Sequence, residues 1–262
     1  MSLGSSKPLV HEGPPLEQAA AGDAPLDPLE LYAAAIDASD YVAALAPLIR
    51  RAASEIGDLL DVGAGGGQLG AALSTPQMRF TAIEPSPTMR ARLLRLPNPP
   101  TVLACGWESA AIANASHDTV LAATMPAVME HAGEFLKRSR SWARRQVVWV
   151  VPAHHGPRGL CFAGCLPSAW HGEDETPGLD TTLRNLRPAD RPHAIQFFDW
   201  TFTGVVPDVA KLARFLAGRL GWAPHDARCA QLHAHLVAQA RPRNGAVCLE
   251  IPRRSAVLVW RK

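Results

Sequence analysis

This sequence has almost no excess of charge of either sign: 26 Lys and Arg stand against 24 Asp and Glu in 262 residues, for a formal net charge of +2. So even a balance supplies no overall field to draw the chain onto nucleic acid or an anionic membrane. Lysine is scarce within it, at 4 residues against 22 arginines, which together with the abundant alanine reads as the usage of a GC-rich genome. Cysteine is thin as well. Five residues (Cys105, Cys161, Cys165, Cys229, Cys248), an odd count in a long chain, argue against a disulfide framework and for reduced thiols. No apolar run nears the length of a membrane span and no basic-then-apolar leader opens the chain, so a soluble cytoplasmic protein is expected. Tyrosine occurs only at Tyr32 and Tyr41. What the chain does have is apolar: hydrophobic residues make up 47%, enough to bury the core of one large α/β domain or of a core with an appendage.

Four stretches follow one another. Residues 1–57 read as a flexible tail, rich in Gly, Pro, Ser and Ala, and a helical arm. The arm opens at Pro28, and its second helix starts from an Asp40 cap, is kinked or divided at Pro47 and stops at Gly57. Residues 58–152 alternate strand and helix. Strands are expected at Asp58–Val62, Arg79–Ile83, Thr101–Cys105, Thr119–Ala123 and Gln146–Val151, with helices at Gln68–Leu73, Pro87–Leu96 and Ala127–Trp142. That alternation predicts a Rossmann-like, doubly wound α/β sheet. Residues 153–193 lose the periodicity and are expected to form an irregular insertion that caps a substrate. Residues 194–262 return to the core with a strand at Ile195–Thr203 and helices at Pro207–Leu220 and Ala227–Gln239. A closing β-hairpin at the sheet edge is expected from Ala246–Ile251 and Ala256–Trp260 across a Pro252-Arg253-Arg254 turn.

The chemistry gathers at Leu59-Leu60-Asp61-Val62-Gly63-Ala64-Gly65-Gly66-Gly67-Gln68-Leu69-Gly70, an apolar strand that turns through glycines into a helix. Bare backbone there can approach a ligand. Two frames overlap. Gly65-x-Gly67-x-x-Gly70 fits a dinucleotide fingerprint, and Gly63-x-Gly65-x-Gly67 fits other nucleosides. Asp61 weighs against a pyrophosphate, which it would repel, and suits a cationic ligand end such as an amino group. Glu84, at the end of the second strand, can accept both hydroxyls of a ribose. Glu84-Pro85-Ser86-Pro87-Thr88-Met89 then turns straight into a capped helix, with Ser86 as cap and Pro87 at the first helical position.

Asp61-Val-Gly-Ala-Gly-Gly-Gly67 together with Glu84-Pro-Ser-Pro-Thr-Met89 resembles the first two motifs of the class I S-adenosylmethionine-dependent methyltransferases, over roughly residues 58–151. The resemblance implies a seven-stranded sheet with an antiparallel final strand and S-adenosylmethionine as methyl donor, S-adenosylhomocysteine being the product. Carried over by position, Asp61 and the backbone of Gly63, Ala64, Gly65 and Gly67 would hold the methionine part, and Glu84 the ribose. Pro85 and Ser86 would edge the adenine, with Trp107 stacking on it and Glu108 accepting from its amino group. The family more often has Asp or an Asp-Ala pair at that last place.

Methyl transfer is an in-line displacement that needs a general base only when the acceptor arrives protonated. Strand four ends Ala122-Ala123-Thr124-Met125-Pro126, without the Asn/Asp-Pro-Pro-Tyr/Phe sequence common where a nucleobase or glutamine amine is methylated. A small-molecule acceptor is therefore expected, with Thr124 at the cofactor and Met125, Tyr32 and Tyr41 toward the substrate. His154 and His155 leave strand five on the same edge and are the candidate bases. The run His154-His155-x5-Cys161-x3-Cys165-x5-His171 has no usual zinc spacing, and no metal is expected. Three alternatives stay open: an RNA or protein acceptor, a non-catalytic S-adenosylmethionine-binding protein, and a nicotinamide oxidoreductase using the Gly65–Gly70 frame.

Overall fold

The computed structural model describes residues 26–53, 55–157, 162–243 and 245–262; the tail before Leu26 and Cys161 lie outside them. Its strands are β1 (Leu59–Val62), β2 (Phe80–Ile83), β3 (Thr101–Leu103), β4 (His117–Ala123), β5 (Ala143–Pro152), β6 (Ala194–Val206), β7 (Arg241–Arg243) and β8 (Ala246–Arg261). Its helices are α1 (Pro28–Ala38), α2 (Tyr41–Ala52), α3 (Gln68–Leu73), α4 (Pro87–Leu93), α5 (Ala132–Trp142), α6 (Ser168–His171), α7 (Gly178–Arg184), α8 (Val209–Arg219) and α9 (Ala227–Gln239). The sheet runs β3-β2-β1-β4-β5-β8-β6. The first five strands are mutually parallel, while β8 lies antiparallel to both β5 and β6. The expected seven-stranded sheet with an antiparallel final strand is therefore present, with β7 as a short addition on β8.

Both faces of the central strands are covered, which is why these strands read as continuous apolar runs. Leu59, Leu121, Val148 and Val150 enter the layer that also holds Leu45 and Ile49 of α2. Their neighbours Leu60, Val120, Ala122 and Trp149 enter the opposite layer with Phe135 and Leu136 of α5. The period-2 alternation of side chains across a strand thus feeds two cores at once.

Four local expectations are corrected. The first concerns the C-terminal hairpin: residues 246–261 form one strand, not two, and it lies inside the sheet, not at its edge. Pro252 does not break it. Pro252 pairs with Thr201, whose N–H points outward to the Asp40 carboxylate at 2.8 Å. On its other side Pro252 lies beyond the end of β5, whose last pair is Pro152 with Ser255, so no ladder bond is lost there. Secondly, Asp40 makes no capping bond to α2; it satisfies the edge of β6 instead, as Ser39 does for the Thr203 N–H at 2.8 Å. The α1–α2 corner thereby covers an edge that would otherwise expose backbone donors. Thirdly, α2 runs unbroken through Pro47, whose ring is exposed, so the carbonyl it leaves without an intrahelical partner faces solvent. The helix expected over 127–142 also divides, into a 3-10 turn (Pro126–Met129) and α5.

Residues 153–193 contain α6, α7 and two 3-10 turns, Ala163–Cys165 and Pro188–Asp190. Phe162 and Leu166 pack into one apolar layer and Leu179 and Leu186 into the other.

Candidate functional site

Three neighbouring parallel strands end together at one edge of the sheet. Val62 of β1 lies beside Ile83 of β2 and Ala122 of β4, so the glycine loop, Glu84 and Thr124 emerge side by side. This is the switch point of the strand order, where open α/β sheets leave a crevice. The loop is tied to β2 by two bonds, from the N–H groups of Gly63 (2.8 Å) and Ala64 (3.2 Å) to the Ile83 carbonyl. Gly63, Gly65 and Gly67 take φ of 65°, 57° and 79°, the left-handed region that disfavours other residues.

The glycines do different work. A Cβ on Gly67 would stand 2.4 Å from a Leu93 methyl of α4, so Gly67 permits helix packing. On Gly70 a Cβ would meet the Phe80 ring at 2.5 Å and the Asp61 carboxylate at 2.6 Å. Gly70 is therefore filled from both sides by the protein, leaving no room there for a ligand. Around a Cβ on Gly65, by contrast, there is open space.

A cavity of about 190 Å³ opens above this loop. Its floor is the glycine loop with Asp61, Glu84 and Thr124, and its roof is the arm, through Leu29, Tyr32, Ala33 and Ile36 of α1 and Tyr41 and Val42 of α2. Leu29, Tyr32, Ala33 and Ile36 follow the i, i+3, i+4, i+7 spacing of one helical face. The arm is latched across the cavity by polar contacts at its rim. Arg92 of α4 pairs with Asp37 and, at 3.3 Å, with Glu30 of α1, while the Gln68 amide of α3 donates to Asp37 at 2.6 Å.

Two carboxyl groups face this cavity in opposite conditions. Glu84 is buried and satisfied: Oε2 accepts from the Gly65 N–H and Oε1 from the Ser86 N–H, both at 2.8 Å. Asp61, only 3% exposed, has no hydrogen bond from any described residue. Burial, and secondarily the charge of Glu84, pushes its acid up to about 8. An isolated buried acid of this kind is a place held for a cationic partner.

Thr124 sits at the end of β4 with φ 51°, a rare conformation for a β-branched residue and a mark of local strain. Its N–H is held by the Val150 carbonyl at 3.2 Å, and its Oγ1 accepts from the Tyr32 hydroxyl at 3.0 Å. The Tyr41 ring is wedged against Trp200 (centroids 4.6 Å apart) and Phe198 of β6. Its hydroxyl is buried beside the Thr124 side chain and within the fields of Tyr32 and Asp61, and burial above all pushes the phenol well above its ordinary value.

The structure thus brings Asp61, Gly63, Ala64, Gly65, Glu84, Thr124, Tyr32 and Tyr41 to one cavity. The other candidates stand off its walls. Ser86 caps α4, accepting from the Met89 N–H at 3.3 Å, with Pro85 beside it, and Met125 packs against Gly63. Trp107 packs edge-on against Phe135 at 5.3 Å, and the Glu108 side chain is exposed. His154 accepts at Nε2 from Arg253 at 2.8 Å and lines a separate shallow depression with Trp200 and Arg254. His155 is exposed. The cavity residues that sequence reading passed over are chiefly apolar: Leu29, Ala33, Ile36, Val42 and Met89. For the α1 set the signal was available, since all share the face of Tyr32.

No protein-family model and no curated protein matches this sequence. Among solved structures the chain is similar to a putative type II methyltransferase of Anaeromyxobacter dehalogenans, at 19% identity and a TM-score of 0.48, over 83% of this chain and 94% of that one. It is also similar to a putative methyltransferase of Bacillus halodurans, at 12% identity and a TM-score of 0.47, over 83% and 98%. A third is the geranyl diphosphate C-methyltransferase of Streptomyces coelicolor, at 14% identity and a TM-score of 0.46, over 83% and 77%.

Proposed function

We propose that this chain is an S-adenosylmethionine-dependent methyltransferase for a small-molecule acceptor. The observation that carries the reading is the buried Asp61 carboxyl without a partner, set beside a glycine loop and a ribose-competent Glu84 on one cavity. Two features of the cavity suit the donor: the unsatisfied acid and the open space over Gly65. Asp61 would hold the amino group of the methionine part against the Gly63–Gly65 backbone. Glu84 would accept the ribose hydroxyls. Pro85, Ser86, Trp107 and Glu108 are assigned to the adenine end on their places after β2 and β3. When bound, the donor supplies an electrophilic methyl group; the chain's own part is to orient it and to keep water out.

The described cavity is smaller than the roughly 300 Å³ at which small-molecule sites begin, so the arm must shift to admit a nucleoside. Arg92→Ala should therefore raise the dissociation rate of S-adenosylhomocysteine severalfold while changing stability by no more than about 1 kcal/mol, because its ion pairs are part-exposed. Stopped-flow fluorescence and thermal unfolding measure the two effects.

The direct test of the reading is calorimetry of the purified chain with S-adenosylhomocysteine. Affinity in the micromolar range or tighter is expected; no heat and no thermal stabilisation would reject the assignment. Tighter binding of NAD or NADP would favour the oxidoreductase alternative, against which Gly70, filled by Phe80 and Asp61, already speaks.

A further inference from the structure

Resting on that reading, we infer that Gln68 and Arg92 form a seat for the carboxylate of the donor's methionine part, and that Asp37 of the arm competes for it. The seat is defined by a carboxylate already in place. The Gln68 amide donates to Asp37 Oδ1 at 2.6 Å, and the Arg92 guanidinium pairs with Asp37 Oδ2. Donors from two separate helices, α3 and α4, thus converge on the two oxygens of one carboxyl group. Charge-assisted bonds of this kind are the strong ones, and a guanidinium beside an amide matches a carboxylate well.

The seat stands at the wall of the cavity. Gln68 lines that cavity, and its amide lies over the glycine loop: a Cβ on Gly66 would meet Gln68 Oε1 at 2.8 Å and Nε2 at 3.0 Å. On the arm, Glu30, Ala33 and Asp37 follow the i, i+3, i+7 spacing of one helical stripe. Ala33 lines the cavity in the middle of that stripe, and the acids on either side of it both pair with Arg92.

The donor's own charges call for such a seat. Its methionine part carries an ammonium and a carboxylate, and Asp61 answers only the ammonium. No Lys, Arg or His lines the cavity among the described residues, so a carboxylate there needs a cation from the rim. Arg90 of α4 is taken up by the Glu84 and Pro85 carbonyls. Arg92 is engaged instead by two side-chain carboxylates of the arm, partners that a ligand carboxylate can replace like for like. The Asp37 and Glu30 side chains are 45% and 50% exposed, so releasing them to water costs little. The exchange frees Asp37 from α3 and α4, so that seating the donor and shifting the arm become one step.

The test compares S-adenosylhomocysteine with its decarboxylated form, which keeps the amine, the sulfur and the nucleoside. Both are titrated by calorimetry into the full chain as wild type, as Asp37→Ala and as the double variant Asp37→Ala with Gln68→Ala. The readout is the ratio of the two affinities, because the decarboxylated form reports on folding and on any general loosening of the arm. Asp37→Ala should raise the preference for the carboxylate-bearing ligand roughly threefold to tenfold, the worth of one part-exposed charged contact. The double variant should lose that gain, since both competitors need the same amide. A ratio unchanged in Asp37→Ala, weaker S-adenosylhomocysteine binding in that variant, or a gain that survives the loss of Gln68 would each overturn the inference while leaving the donor assignment standing. Failure of both ligands to bind the wild type would overturn the donor assignment as well.

Discussion

Asp61→Asn is expected to make the free protein more stable at neutral pH while destroying its affinity for S-adenosylhomocysteine. The Asp61 acid is raised from the ordinary value of 3.8 to about 8 in the folded chain, chiefly by burial and next by Glu84. An acid whose folded value lies above its unfolded value takes up a proton on folding. Its contribution is fully favourable below about pH 4 and is progressively lost as pH rises toward 8, because the unfolded chain ionises freely and the folded one does not. Between those limits each pH unit costs up to about 1.4 kcal/mol, and at pH 7 the penalty should amount to roughly 2–4 kcal/mol. Asparagine keeps the shape and removes the penalty. Its unfolding temperature should exceed the wild type's by several degrees at pH 7–8, and the two should converge near pH 4. A constant difference at all pH values, or retained ligand affinity, would contradict this account. The same linkage predicts that ligand binding at pH 7 releases a proton from Asp61, so that calorimetric heats should differ between buffers of different ionisation enthalpy.

Loss of Glu84 should act on the other half of the ligand and on the loop itself. Its two oxygens accept from Gly65 and Ser86, so the carboxylate orders the glycine loop and the start of α4 before any ligand arrives. Glu84→Ala removes that order and, on the proposed reading, two charge-assisted bonds to ribose hydroxyls worth about 1.5–3 kcal/mol each. S-adenosylhomocysteine affinity should fall by roughly 100-fold or more, with methyl transfer lost in proportion. Glu84→Gln can still accept at one oxygen and should be intermediate. Deoxyadenosine analogues should separate the effects: if the ribose bonds matter, removing the 2′-hydroxyl should weaken wild-type binding more than it weakens Glu84→Ala. Equal losses in both proteins would mean that Glu84 serves the loop alone.

The core of this fold was legible because its strands carry local signals that tertiary packing did not override. Asp58–Val62, Arg79–Ile83 and Thr119–Ala123 are buried apolar runs bounded by turn residues, and β1, β2 and β4 fall within a residue or two of them. Ser86 announces α4 because a serine before Pro87 satisfies an orphan N–H, and it does so here. Asp40 offered the same signal before α2 and was misleading. A carboxylate beside a helix start will serve whichever donor lies nearer, and the Thr201 N–H comes from 161 positions away. Pro252 misled for a related reason: whether a proline ends a strand depends on which neighbours its missing N–H faces, and β5 has already ended there.

What the sequence by itself determined is the floor of the site. Asp61, the glycines and Glu84 lie within 24 residues of one another, and the strand–turn–helix geometry they encode is local. How the arm closes over that floor was decided by tertiary structure, although Tyr32 and Tyr41 were expected near the site. Tyr32 and Tyr41 reach Asp61 and Thr124 because α1 and α2 dock on the edge strand β6, which follows them by some 150 residues, and because Arg92 latches α1 from above. His154 and His155, which the chain order placed on the same edge, are carried aside when β8 inserts between β5 and β6 and binds His154 through Arg253 and Arg254. Local sequence sets which backbone turns can form. Only the packing of distant elements sets which side chains share a cavity, since that depends on strand order and on partners no short window contains.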